Sequence, residues 1–304
     1  MFLHEDKELF EELIRLTAHE YKLSAAVTEK DYYVTMVLKS IAANDPDIIF
    51  KGGTSLSKCY KIIRRFSEDI DLNIKTEQKP TEGQRRKLKH SVVEAAQNIG
   101  LQVINKDETH SRRDFNRYEI GYEPVFLSEF LKQNVICETA VFFRAYPTVD
   151  LEADCFIYRY LLKTGRTDIA EKYGLLPFTI NTQSAERTLV DKLFAVADYY
   201  LSGEIKGHSR HIYDIACLKN IVAADDDFVK LLNEVREDRK NHKTCLSAQD
   251  GVDLKEVLYE IVSGDVYKND YENITMPLLF DDVVYDEAIG KYKGLLDDIF
   301  TVFQ

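Results

Sequence analysis

The chain has 304 residues, 45% of them hydrophobic, enough to bury one large core or two smaller ones. A formal net charge of −12 argues against a generic nucleic-acid coat, and no stretch approaches the roughly 18 uninterrupted apolar residues of a membrane helix. Five cysteines, widely spaced and without Cys-x-x-Cys, read as reduced thiols rather than a zinc site. The opening Met1-Phe2-Leu3-His4-Glu5-Asp6-Lys7 has the wrong charge order for a signal peptide, so a cytoplasmic location is expected.

Residues 1 to about 45 read as helical. Thr28 is a candidate cap for an amphipathic helix that puts Tyr33, Val34, Val37, Leu38 and Ile41 on one face. Such a helix is expected to pack over a sheet and carry no chemistry, with Lys30 the one residue to test. A mixed sheet is expected over roughly 46–182, with 79–83 as an exposed loop.

Lys51 to Ile74 is the most informative stretch. Phe50-Lys51 reads as the end of a strand, Gly52-Gly53 as a turn, Ser55 to Arg65 as about three helical turns, and Phe66 onward as a return to the sheet. Ile70, Leu72 and Ile74 then alternate with Asp69, Asp71 and Asn73, the period of a strand with one apolar face. Two carboxylates one pleat apart repel unless a cation lies between them, and hard divalent cations such as Mg²⁺ take oxygen ligands from one or two carboxylates plus substrate phosphates. The glycines let backbone amides approach an anion such as a triphosphate. Separately, each feature reads more simply as a turn or as two solvated acids.

Farther along, Asn134 to Arg144 reads as a strand on which Glu138 shares a face with Ile136 and Ala140. A buried carboxylate there needs either a metal or a basic partner such as Arg144. Asp150, Glu152 and Asp154 alternate as weaker acidic candidates. From 184 the pattern is helical, over Glu186 to Leu201, Ile212 to Val222, Asp227 to Arg239, Leu254 to Val262 and Tyr285 to Phe303. Ser184 is placed to cap the first of these. Arg210 and Asp214 stand one helical turn apart, able to pair. Basic residues cluster at Lys58, Lys61, Arg64 and Arg65, at Arg85 to His90, and at Arg112, Arg113 and Arg117, where they would guide a nucleotide or an RNA backbone if a metal site lay nearby.

Lys51-Gly52-Gly53-Thr54-Ser55-Leu56 followed by Arg65-Phe66-Ser67-Glu68-Asp69-Ile70-Asp71-Leu72 resembles the core motif of the AbiEii/AbiGii toxin family. These are nucleotidyltransferase-like toxins of two-gene toxin–antitoxin and phage-defence systems, within the polymerase-beta-like nucleotidyltransferase superfamily. The Glu29-Lys30-Asp31-Tyr32 run, the stretch Ser184 to Ala197 and the stretch Lys206 to Leu218 are similar to the family as well. His211 stands where the family usually has an Asp.

The resemblance implies an α+β (mixed α/β) fold: a nucleotidyltransferase-type sheet flanked by helices over 1–182 and a helical domain over 183–304, with nucleotide bound in a cleft between them. It implies Asp69, Asp71 and Glu138 as ligands for two Mg²⁺ ions about 3.5–4 Å apart. Gly52, Gly53, Thr54, Ser55, Lys58, Lys192 and Arg210 would bind the nucleoside triphosphate. Asp214 would orient Lys192 or Arg210; a surface lysine and a surface acid are the simpler readings of Lys192 and Asp214. The implied activity is transfer of a nucleoside monophosphate to an acceptor, RNA such as tRNA, with an antitoxin encoded by a neighbouring gene and no membrane partner. Two alternatives stay open: a small-molecule or protein nucleotidyltransferase, and a catalytically silent nucleotide-binding protein of the same fold.

Overall fold

Alternating polarity builds the strands of this chain, and a 3.6-residue apolar period builds the helices that cover them. The computed structural model describes residues 1–76, 78–129 and 131–301. The chain divides into two compact units, Met1–Lys61 with Phe66–Gln183, and Ile62–Arg65 with Ser184–Gln304.

The first unit holds α1 (Lys7–Tyr21), α2 (Ala25–Asn44), β1 (Ile48–Lys51), α3 (Gly52–Lys58), β2 (Ile70–Ile74), α4 (Glu82–Asn98), β3 (Gln102–Val103), β4 (Phe115–Gly121), β5 (Asn134–Ala140), β6 (Thr148–Ala153), α5 (Phe156–Lys163), α6 (Thr167–Lys172) and β7 (Phe178–Gln183). The strands form one mixed sheet in the order β3-β4-β5-β2-β1-β7-β6. β2 runs parallel to β5 and β1 parallel to β7, while the other neighbours are antiparallel. Phe10, Leu13, Val37, Leu38, Phe50, Leu72, Ile120 and Val135 are buried in the core between sheet and helices. Each contributes about 1.5–3 kcal/mol by leaving water.

Several local expectations change: the loop expected over 79–83 gives way to α4 at Glu82, and the strand expected from Asn134 to Arg144 ends at Ala140. α2 is capped by Ser24, whose Oγ accepts from Val27 N at 3.1 Å, so the helix starts ahead of Thr28, which is buried inside it. The helix after the glycines is shorter than Ser55 to Arg65: it begins at Gly52 and ends at Lys58. Lys61 has a left-handed φ of 59°, which a helix cannot continue through. The next four residues, Ile62–Arg65, belong to the second unit before the chain re-enters the sheet at Ile70.

The second unit holds α7 (Ala185–Ser202), α8 (Arg210–Leu218), α9 (Asp226–Lys240), α10 (Leu254–Ser263) and a closing helix, Tyr285–Thr301. Ser184 caps α7 as its sequence position suggests, accepting from Arg187 N at 3.2 Å. The expected end of the last helix, Phe303, lies outside the described residues. Among the described residues no helix is long and apolar enough to cross a membrane.

Gly52 is the position where backbone and site meet. Its φ is +78°, and an added Cβ would lie 2.0 Å from Asp71 Oδ2. Gly100 has a similar φ of +76° but open space around it. Gly52→Ala is therefore expected to cost more than the ~1–3 kcal/mol of backbone strain that Gly100→Ala should cost. Denaturant unfolding of both variants checks this; equal losses would mean that the carboxylate does not fill the glycine's space.

Candidate active site

Strand pairing assembles a row of charges across the sheet. β2 and β5 pair in parallel with Asp71 opposite Glu138. On the far side of each, Lys51 of β1 faces Asp71 and Arg117 of β4 faces Glu138. Paired residues point to the same sheet face, so two carboxylates stand one strand spacing apart, about 4.8 Å, between two cations. Arg117 Nη1 lies 2.7 Å from Glu138 Oε1. Arg117, reached by strand pairing, is thus a partner of Glu138, where the sequence suggested a basic residue such as Arg144. Alternation along β4, with Asn116, Tyr118 and Ile120 buried and Arg117 and Glu119 half-exposed, places Arg117 on the polar face; only the register identifies its partner. Asp69 lies half-buried at the mouth of β2. Burial lifts the Cys137 thiol well above its usual range, and the charges of Asp71, Glu138 and Asp69 add to that rise, so all three acids act on one point of the sheet.

The glycine turn abuts this row through Gly52. Thr54 and Ser55 are buried, and their hydroxyls are engaged locally: Thr54 Oγ1 with Ser67 Oγ at 2.9 Å, and Ser55 Oγ donating to Gly52 O at 2.7 Å. Lys58 is buried too. Its ammonium donates to Asp31 Oδ1 and Thr35 Oγ1, both at 2.6 Å, which commits it to joining α3 to α2. Asp150 and Glu152 are exposed, while buried Asp154 pairs with Lys61 at 2.7 Å and Arg159 at 2.6 Å.

The run on α2 that reads as mere packing surface does more than pack. Glu29 accepts from Val125 N at 2.8 Å and Phe126 N at 2.9 Å. Lys30, fully buried, donates to Lys132 O and Asn134 O and stands 2.9 Å from Glu68 Oε2, beside Asp69. Burial pulls its pKa below the ordinary lysine value, and the charges of Glu68 and Asp69 oppose that drop. Asp31 Oδ2 accepts from Phe156 N at 2.9 Å, at the start of α5. Three consecutive side chains thus tie the β4–β5 loop, the approach to β2, α3 and α5 to one helix.

The second unit has its own polar centre. Asp214, fully buried on α8, accepts from Arg65 Nε at 2.7 Å and Nη2 at 2.8 Å, and from Lys192 Nζ at 2.6 Å. The expected partner one turn back, Arg210, is exposed instead; the planar fork of a buried guanidinium suits both carboxylate oxygens at once. Burial alone would raise the Asp214 carboxyl, but Arg65 and Lys192 outweigh it and hold the group well below the usual carboxylate range. Burial also lowers Lys192, Asp214 acting against that drop. The segment carrying Arg65 is fixed further by Tyr213 Oη accepting from Arg64 N at 3.0 Å and by Phe280 N donating to Arg64 O at 2.7 Å. At position 211, His211 stacks parallel to His208, with ring centroids 6.2 Å apart. Burial holds both imidazoles below their ordinary pKa, helped by Arg210 at each and by Lys192 at His211.

Among the described residues no three Asp, Glu, His or Cys side chains stand close enough to hold an ion as placed. The donors at the acid row fit a hard divalent cation in kind, because Asp71 and Glu138 bring carboxylates into register on adjacent strands, with Asp69 two residues before Asp71.

The class of protein is a nucleotidyltransferase, shown by a family profile that spans most of the chain. The profile described as "Nucleotidyl transferase AbiEii toxin, Type IV TA system" matches residues 37–283, and the chain belongs to that family. Membership carries with it a nucleoside triphosphate substrate and an antitoxin partner. The fold is similar to that of MenT4, a nucleotidyltransferase toxin of Mycobacterium tuberculosis H37Rv, at 15% identity and a TM-score of 0.53, covering 94% of this chain and 89% of that one. A protein of H. pylori assigned by inference to the nucleotidyltransferases aligns at 17% identity and a TM-score of 0.47, over 90% of this chain and 97% of its own. No match to the chain was found among curated proteins.

Removing one charge from the buried Asp214 centre should be severe. Asp214→Asn leaves Arg65 and Lys192 facing a neutral amide, and a loss of about 3–5 kcal/mol is expected in denaturant unfolding. Adding Lys192→Met should return part of it; a single variant as stable as wild type would show that the centre is not tight. The histidines set a separate pH dependence. Both bind protons less readily when folded, so the unfolded state takes up protons first as pH falls through the ordinary value of 6.5. Stability from this source is complete above that pH and lost below it. Unfolding free energies between pH 5 and 7 should fall less steeply in His208→Gln/His211→Gln than in wild type.

Proposed function

We propose that the protein transfers a nucleoside monophosphate from a nucleoside triphosphate to RNA, with tRNA as the acceptor class, using two Mg²⁺ ions held by Asp69, Asp71 and Glu138. In this reading it is the toxin of a pair that serves phage defence. The observation that carries the proposal is the register of Asp71 against Glu138 beside Gly52. Bound divalent ions would supply Lewis-acid polarisation and charge neutralisation for the phosphates. The chain's own residues do the positioning. Arg117 fixes the direction of Glu138, and Gly52 leaves the space that Asp71 occupies.

The backbone amides of the Gly52-Gly53 turn, rather than the occupied hydroxyls of Thr54 and Ser55, are the groups proposed to face the triphosphate. Lys58 then holds α3 in place instead of touching phosphate. Asp214 keeps Lys192 fixed in direction and favours its charged form.

The test uses purified protein, Mg²⁺, each α-³²P nucleoside triphosphate in turn and total cellular RNA. Wild type should label tRNA-sized RNA with one or a few nucleotides. Asp69→Ala/Asp71→Ala should label on the order of a thousandfold less, the size expected when several kcal/mol of charge stabilisation is removed. Absence of label in RNA from wild type with every nucleotide would overturn the RNA acceptor and bring a protein or small-molecule acceptor forward.

A further inference from the structure

The first unit carries an open cavity of about 480 Å³ lined by Lys89, Thr109, His110, Ser111, Arg112 and Arg113. Its cations lack the carboxylate partners that others on α4 have. On the same helix Arg85 pairs with Asp114, Arg86 with Glu82, Lys87 with Asp45 and Asp47, and His90 lies beside Glu94. Lys89, by contrast, donates to the neutral carbonyl of Thr109, and Arg113 Nη1 to the carbonyl of Glu108 at 3.3 Å. Among the described residues no carboxylate lies within ion-pair distance of Lys89, Arg112 or Arg113. Asp107 and Glu108 are exposed in the same loop, but neither lines the cavity. Three positive charges thus line one cavity of a protein with net charge −12, and among the described residues none of the three has a carboxylate in pairing distance.

The loop that presents them is built rather than slack. Buried Asn116 accepts from His110 N at 2.7 Å and donates to His110 O at 3.1 Å. Asn105 donates to Arg117 O at 2.9 Å and accepts from Glu119 N at 2.9 Å, and Thr109 is buried against Lys106 O. These bonds brace the loop on either side of Arg112 without a ligand, and such bracing lowers the entropic cost of binding. The cavity also has a fixed relation to the acid row. Arg113 is four residues from Arg117, at most about 14 Å of extended chain, and Arg117 holds Glu138.

We infer that this cavity is the docking site for the phosphodiester backbone of the RNA acceptor. The inference rests on the RNA reading above. Arg112, Arg113 and Lys89 supply charge without base selectivity, so they fix where the acceptor lies while the acid row acts on its end. Backbone contacts of this kind release counterions, which makes binding fall steeply with salt.

The probe is a fluorescein-labelled total tRNA fraction, titrated by anisotropy at several salt concentrations against wild type and Lys89→Ala/Arg112→Ala/Arg113→Ala. Uptake of α-³²P nucleoside triphosphates by both proteins is measured in parallel. The triple variant should bind RNA about tenfold or more weakly, with a salt slope smaller by roughly 2–3, while its nucleotide uptake and melting temperature stay at wild-type values. Arg112→Lys/Arg113→Lys, which keeps the charge, should keep the slope. Wild-type RNA affinity and slope in the triple variant, with wild type still labelling RNA, would overturn the docking site and leave the RNA reading standing. Equal loss of nucleotide uptake would assign the cavity to the nucleotide's own phosphates and overturn it as well. A wild-type protein that neither binds nor labels RNA would overturn both.

Discussion

Two carboxylates held in register on adjacent parallel strands are the constraint around which the first unit is arranged. Asp71 and Glu138 repel at one strand spacing, and the sheet brings them together only because it also brings cations to either side. Arg117 binds Glu138 directly, and Lys51 stands opposite Asp71. Gly52 follows Lys51 with the positive φ that turns the chain away and leaves the Asp71 carboxylate its space. The approach to β2 is held in turn by Lys30 on Glu68, and Lys30 is fixed by two carbonyls at the edge of β5. Pull out any one of these and the two acids lose either their spacing or their neutralisation. Such pre-set charge fits a site that must accept a cation and a polyphosphate without rearranging.

The second unit solves a different problem with similar means. A carboxylate, a guanidinium and an ammonium are all taken out of water at Asp214, a cost that their mutual attraction offsets only with good geometry. The geometry is good, with three hydrogen bonds between 2.6 and 2.8 Å. Replacing the group by hydrocarbon would give packing with no direction. What the ions supply is a fixed orientation for Lys192, and a fixed place for the short segment that carries Arg65 just ahead of Asp69 in the chain.

Much of this was legible in the residues, and what was not has a common cause. The strand that carries Asp71, with Asp69 just ahead of it, the cap at Ser184 and the run of helices after 184 all follow from patterns within a dozen residues. The helix expected through Arg65 ends at Lys58, and Arg65 meets Asp214, 149 positions along the chain, a pairing that no local period records. Arg144 was the near partner for Glu138 in sequence; Arg117 is the near one across a strand. Glu29, Lys30 and Asp31 lie on α2 among residues whose apolar period signals packing, yet two of the three are buried and each reaches a different element. Polar residues with long reach are where sequence reading ran short, since their partners are chosen by tertiary structure.

The net charge of the chain can be reconciled with a polyanionic acceptor on the same terms. At physiological ionic strength exposed charges more than about 8 Å apart are largely screened, so a net charge summed over the whole chain does not fix the field at one loop. What an arriving phosphate meets is the local field, and at the loop 109–113 that field is set by Lys89, Arg112 and Arg113 without a carboxylate in pairing distance. The acid row, close by along β4, differs: Arg117 and Lys51 flank its two carboxylates, and the proposed function asks a divalent cation to complete it. A chain of phosphates laid on the cationic loop would reach toward the acids only as far as that cation allows. On the proposed reading, β4 would keep the charge that holds an acceptor apart from the charge that holds a metal.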